Sequence, residues 1–150
     1  MSSDAGFHNE ETPTSAKILF VQANELRDEG NFEEARPLYE RALQIQEKTL
    51  GEHADTAMTL LHFGLWYSDQ GFYQEAQHLF ARAVYIFGNV GEPYYAVASL
   101  QNLGSALVDQ GLLEDARYCY EQALWINEKY LGKESSFAKQ IRERLAGLDT

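Results

Sequence analysis

The chain has 150 residues, 45 % of them apolar and few of them Gly or Pro, a composition that fits one packed domain and argues against disorder. Against 12 Lys and Arg stand 23 Asp and Glu, a formal charge of −11, which disfavours nucleic acid and anionic lipid as partners. The lone Cys119 forms no internal disulfide and no run is apolar over the length that spans a bilayer, so a reducing, cytoplasmic compartment is expected.

Residues 1–14 (MSSDAGFHNEETPT) are small and polar, lack the apolar stretch of a signal peptide, and are expected to form a disordered tail. From residue 15 a helical pattern begins. Leu19, Ala23 and Leu26 precede Gly30, a residue suited to the left-handed position that ends a helix. Asn31 with Glu34 reads as a capping box for the next helix. Ala35, Tyr39, Ala42 and Ile45 then share one helical face, small residues alternating with a large ring so that the helix nests against a partner.

The same arrangement follows around Gly71, with Leu60, Gly64 and Tyr67 before it and Ala76, Phe80, Ala83 and Ile86 after it. It recurs around Gly111, with Leu100, Gly104 and Leu107 before and Ala116, Tyr120, Ala123 and Ile126 after. Glycine inside a helix costs about 0.5–1 kcal/mol relative to alanine. Its presence at both 64 and 104 suggests two helix backbones in contact there. In the second repeat "GNVGEP" (88–93) breaks the pattern early and predicts a looser exit loop. After the third, Phe137, Ala138, Ile141, Leu145 and Leu148 form a narrow apolar stripe whose opposite face is Lys, Gln, Arg and Glu. That suits a helix over 134–150 that covers the last open edge.

"FGLWY" (63–67), "NLGSAL" (102–107) and the spacing of "AQHLF" (76–80) resemble the tetratricopeptide repeat, and the 40–41-residue period is similar to the long repeats of kinesin light chains. The resemblance covers residues 15–133. It implies an all-α, right-handed superhelical solenoid of three helical hairpins (about 15–54, 55–93 and 94–133) plus the C-terminal capping helix. The proline that often closes such a repeat is absent, with Glu47, Gly88 and Glu128 in its place.

Chemistry of its own is not expected. Glu75-x-x-His78 is half of a di-iron motif without its second copy, and the histidines at 8, 53, 62 and 78 show no paired ligand spacing, so neither metal nor cofactor is implied. Gly88-x-x-Gly91 lacks the Lys and Ser or Thr of a phosphate loop. Cys119 takes the place of Leu38 and Leu79 and is read as a packed core thiol.

What the resemblance implies is a peptide-binding groove lined by the first helix of each hairpin. The positions facing it are Phe20, Val21 and Asn24, then Leu61, His62 and Leu65, then Gln101, Asn102 and Ser105, with Lys17 and Met58 further up the same face. Chaperone-binding relatives grip a terminal carboxylate with Lys, Arg and Asn; only Lys17, Asn24 and Arg27 resemble that set, so the clamp is incomplete. Asn102 matches an asparagine that bonds peptide backbone in long repeats.

Asp28, Asp69 and Asp109 stand two residues before the repeat glycines, where a carboxylate opposes the helix dipole. Either they recognise basic residues of a ligand, or they are turn-compatible residues copied by duplication. Tyr85, Tyr118 and Trp125 lie opposite the Ala-aromatic stripe, and they either mediate self-association as a homodimer or are covered by the terminal helix or segment 88–93. The sequence thus predicts a non-catalytic adaptor for an extended peptide, apolar with some basic residues, with self-association through the outer aromatics as the alternative.

Overall fold

Seven helices account for nearly all of residues 10–149, the part of the chain that the computed structural model describes. They are α1 (Pro13–Asp28), α2 (Phe32–Thr49), α3 (Ala54–Asp69), α4 (Tyr73–Val90), α5 (Pro93–Asp109), α6 (Leu113–Tyr130) and α7 (Ser136–Leu148). The expectation of a disordered tail falls for residues 1–9 outside the described residues. At its other end it is corrected, because Pro13 and Thr14 already belong to α1. Thr12 caps that helix, and Ser15 at its third position answers the cap reciprocally, a capping box built from Thr and Ser.

Each hairpin turns on its glycine. Gly30, Gly71 and Gly111 hold φ of 81°, 83° and 79°, and the residue after each donates its N–H back across the turn. Asn31 N bonds Leu26 O (2.8 Å), Phe72 N bonds Tyr67 O (3.0 Å) and Leu112 N bonds Leu107 O (2.9 Å), and in the second and third turns Gln70 and Gln110 also donate to the helix-end carbonyls of Trp66 and Ala106. The second helices start from Asn31, Phe72 and Leu112 with no side-chain cap. The capping box expected at Asn31 and Glu34 is absent: Asn31 makes no side-chain cap and its Nδ2 donates instead to Glu29 Oε2 (3.2 Å).

The Ala-aromatic stripes are the core of the hairpins. Ala35, Tyr39, Ala42 and Ile45 are buried, as are Ala76, Phe80, Ala83 and Ile86; in the third, Ala116, Tyr120 and Ala123 are buried and Ile126 partly so. The role expected of Gly64 and Gly104 is corrected in detail. What meets them is an aromatic ring rather than a helix backbone. A Cβ at Gly64 would stand 2.6 Å from Phe80 Cε1, and one at Gly104 would stand 2.7 Å from Tyr120 Cε1. Missing side chains on α3 and α5 are thus the sockets for the rings of α4 and α6.

Hairpins stack through their neighbours. Trp66 of α3 donates its indole N–H to Phe32 O at the start of α2 (2.9 Å), and Tyr39 stacks on Phe63 with ring centroids 5.3 Å apart. The early break expected at 88–93 does not occur. The second helix of each hairpin has 18 residues, and α4 runs through Gly88 to Val90 before Gly91 (φ 76°) and Glu92 lead into Pro93. Pro93 at the first position of α5 makes this connection shorter than the one over 50–53.

Beyond the third hairpin, α7 packs against α6 and α5. Ala138 and Ile141 are buried, with Phe137, Leu145 and Leu148 partly covered against the cluster around Val97, Leu100 and Tyr120. Asn127 of α6 holds the turn between them, its Nδ2 donating to Gly132 O (3.0 Å) and to Ser135 Oγ (2.8 Å). Cys119 is buried as expected, and burial, aided by Asp115, pushes its thiol up to about 11.

Candidate functional site: the face of the first helices

Helices α1, α3 and α5 lie side by side, α1 touching α3 and α3 touching α5, so side chains nine and six residues before each glycine come together on one face. Phe20 meets His62 edge to face, with ring centroids 5.1 Å apart. Arg27 reaches across from α1: its Nη1 donates to His62 O (3.2 Å), its Nε lies 3.6 Å from Asp69 and its Nη2 3.7 Å from Asp28. One guanidinium therefore stands between the first two of the three aspartates, while Asp109 is exposed and has no ion pair among the described residues.

That arrangement explains why the incomplete clamp is not available as such. Asn24 Oδ1 is occupied by the hydroxyl of Tyr39, and Arg27 is turned to carboxylates and a backbone carbonyl. Tyr39 itself is held neutral, its hydroxyl pushed up to about 12 by burial. His62 is neutral as well. Burial first and the Arg27 charge second lower its pKa to about 4, with Asp28 opposing them. Its Nδ1 lies 3.5 Å from Arg27 Nη1.

Not every position expected on this face is open. Leu61 and Gln101 are each only 5 % exposed, because the site ten residues before the glycine turns toward the neighbouring helix in the second and third hairpins; Leu61 belongs to the core around Phe80 and Phe87. Phe20, Asn24, His62, Leu65, Met58, Asn102 and Ser105 are partly exposed, and Lys17, Val21, Asp28, Asp69 and Asp109 are exposed. Gln101 Oε1 is buried with no hydrogen-bond partner. Among the described residues no group of three His, Cys, Asp or Glu could hold a metal, and no helix is long and apolar enough to cross a membrane.

The outer face carries features that sequence reasoning located only in part. Tyr85, Tyr118 and Trp125 are 60 %, 64 % and 58 % exposed, so neither α7 nor the segment 88–93 covers them. Two clefts open between successive second helices. One of about 670 Å³ is lined by Glu47, Glu52, Thr56, Arg82 and Tyr85 among others; the next, of about 460 Å³, is lined by Phe87, Gly88, Glu92, Pro93, Trp125 and Tyr130 among others. Tyr130, also 58 % exposed, was not singled out, since the corresponding positions in the other hairpins are Thr49 and Val90 and no repeat pattern marks it.

Stacked helical hairpins with glycine turns and a shared inner face define a repeat solenoid of the protein-interaction class. The sequence profile of the tetratricopeptide repeat matches residues 15–87 and again 55–129, and the chain belongs to that family. A human relative, Tetratricopeptide repeat protein 19, mitochondrial, is 30 % identical over 116 residues, which is 77 % of this chain but only 30 % of that protein's length. Among solved structures, TPR-like repeats of kinesin light chain type from Podosopora anserina superpose with a TM-score of 0.82 at 26 % identity, covering 93 % of this chain and 68 % of that one. The N-terminal domain of stress-induced protein-1 from C. elegans matches with a TM-score of 0.74 at 13 % identity, over 92 % of this chain and 97 % of that one, a likeness of fold alone.

Proposed function

We propose that the chain is a non-catalytic adaptor that holds an extended peptide segment across α1, α3 and α5. The observation that carries this reading is the row of partly exposed apolar and amide side chains, Phe20, Leu65 and Asn102, set beside the carboxylates of Asp69 and Asp109 on successive helices. Arg27 offsets one of the charges at Asp28 and Asp69, so the row keeps an excess of negative charge and favours a ligand with basic residues among apolar ones. Asn102 suits a backbone amide contact. Cytoplasmic residence belongs to this reading and is checked by cell fractionation.

A peptide array probed at two salt concentrations tests the proposal. Apolar peptides with Lys or Arg should bind best and weaken with salt. Exposed charge pairs contribute only about 0.2–1 kcal/mol each, so Asp69→Asn with Asp109→Asn should weaken binding modestly and flatten its salt dependence. Asn102→Ala should weaken binding without altering that dependence. Selection of acidic peptides, or a double variant that binds as the parent does, would show that the aspartates are turn residues only.

A second reading, a homodimer through Tyr85, Tyr118 and Trp125, is favoured by the exposure of all three rings. Sedimentation across concentration decides it: the parent should dimerise, and Tyr118→Ser with Trp125→Gln should be monomeric.

A further inference from the structure

The three hairpin turns share one backbone and differ in what they show to solvent. The residue after each turn glycine has the same conformation: φ and ψ are −87° and 65° at Asn31, −88° and 69° at Phe72, and −89° and 68° at Leu112. Each donates its N–H to the carbonyl five residues back, and none caps its helix through its side chain. The turn is therefore indifferent to this side chain, and Asn31 shows that a polar one suffices. Yet Phe72 is 51 % exposed and Leu112 43 %, with Leu113 beside it at 47 %. Phe72 meets Tyr67 edge to face, and half of its surface stays in water.

Gln110 brings these apolar groups together. From the third turn its Nε2 donates to Gln77 Oε1 (2.9 Å), and Tyr73 O at the start of α4 lies 3.5 Å away. Leu112 and Leu113 thus lie alongside Phe72, one helix-packing width or about 10 Å across. Single exposed apolar residues need no explanation. Three on adjacent turns, two of them where the first turn carries asparagine, form a ledge for contact.

The charge around the ledge is of one sign. Asp109 ends α5, Glu75 stands in the first turn of α4, and Glu114 and Asp115 stand in the first turn of α6. All four are exposed and have no ion pair among the described residues. Neither 68–77 nor 105–116 holds a Lys or Arg, and Arg117, next along α6, is paired with Asp149 and adds no net charge. Acidic groups also suit a helix N-terminus, but whatever docks here meets their charge all the same. That charge selects the occupant. A second copy on the same edge would set carboxylates against carboxylates, and the phosphates of nucleic acid or lipid would be repelled alike.

We propose that the edge formed by the second and third turns docks a segment of a partner protein in which apolar side chains are flanked by Lys or Arg. The apolar side chains would cover Phe72, Leu112 and Leu113, and the cations would reach the four carboxylates. The site stands apart from the face of α1, α3 and α5, with Asp109 at the border of both, and does not depend on what that face binds.

The test uses the full chain and a fluorescein-labelled peptide in which Leu and Lys alternate, read by anisotropy at two salt concentrations. One companion carries Glu for Lys and another Ser for Leu. Saturable binding of the first is expected near the micromolar range, weaker by about tenfold or more for either companion. Leu112→Asn gives the third turn the side chain of the first, so it should leave the melting temperature in place while weakening binding about fivefold. Phe72→Asn repeats the test on the second turn. Glu114→Gln with Asp115→Asn should weaken binding and flatten its salt dependence. The proposal is overturned if the first peptide does not saturate, if either companion binds as well, or if both asparagine variants bind as the parent does. It is overturned too if both lose binding only along with stability, which would mark Phe72 and Leu112 as structural. Loss of binding in Asn102→Ala but not in Leu112→Asn would place the peptide on the inner face and overturn it, and a dimer of the parent that Leu112→Asn disperses would give the edge to a second copy instead.

Discussion

His62 is shaped by two neighbours on α1. Phe20 packs against its ring, and Arg27 places a guanidinium beside it while donating to its carbonyl. Burial and that charge hold the folded-state pKa near 4 against an ordinary 6.5. Between those values the unfolded chain binds the proton and the folded chain does not, so stability falls as pH drops from about 6.5 toward 4 and is complete above 6.5. The contribution is at most about 3 kcal/mol. Urea midpoints at pH 7 and pH 4.5 check it: the parent should lose more stability on acidification than His62→Gln does. Arg27→Gln should raise the His62 pKa, followed by its ring proton shifts, yet leave it below 6.5 because burial persists. At this scale the sequence was a partial guide. It placed Asp28 and Asp69 on the inner face from their spacing to the glycines. The intervention of Arg27 was not visible, because a long side chain crossing between helices leaves no periodic mark.

At the scale of the element, the repeat pattern carried nearly everything, because a position that recurs three times reports a shared packing need. The glycine turns, the Ala-aromatic stripes and the terminal helix were all legible from spacing. Misreadings arose where a residue type was judged without its neighbours. Gly88 looked like a helix breaker, yet α4 passes through it, since one glycine costs less than the hydrogen bonds and packing around Ile86 and Phe87 contribute. Asn31 looked like a cap, but its backbone N–H, which a capping box gives to Glu34, is taken by Leu26 O, and its side chain turns to Glu29. Gly64 and Gly104 signalled close approach correctly and its cause wrongly. Their sockets predict that Gly64→Ala destabilises by about 1–3 kcal/mol in spite of its better helix propensity, because the Phe80 ring is buried and has no room to retreat. In a denaturation cycle, Phe80→Leu should cost less in the Gly64→Ala background than in the parent. Additive losses would show that ring and socket do not couple.

For the molecule as a whole, each hairpin buries one face against the next, so the ends of the stack decide whether the array holds together. The C-terminal end is covered by α7, which places Ile141 and Ala138 fully inside and lays Phe137, Leu145 and Leu148 over the cluster formed by α5 and α6. Phe137 also meets Tyr94 of α5, with ring centroids 5.0 Å apart, and Arg142 pairs with Glu128 (2.9 Å). The ion pair is exposed and contributes little; the apolar contacts carry the attachment. Removing residues 134–150 would take away Ser135 as well, leaving the Asn127 amide with Gly132 alone and the edges of Val97, Leu100 and Tyr120 open to water. The truncated chain should melt at a lower temperature, bind an apolar dye and associate at concentrations where the parent does not. Ile141→Ala in the intact chain separates attachment from mere presence: loss of one buried isoleucine costs about 2–5 kcal/mol if α7 is part of the cooperative unit. If α7 only frays on and off the third hairpin, that substitution should release the helix without shifting the main transition. A single transition that moves down in both variants would establish α7 as the closing element of the solenoid, and a truncation as stable as the parent would remove it from that role.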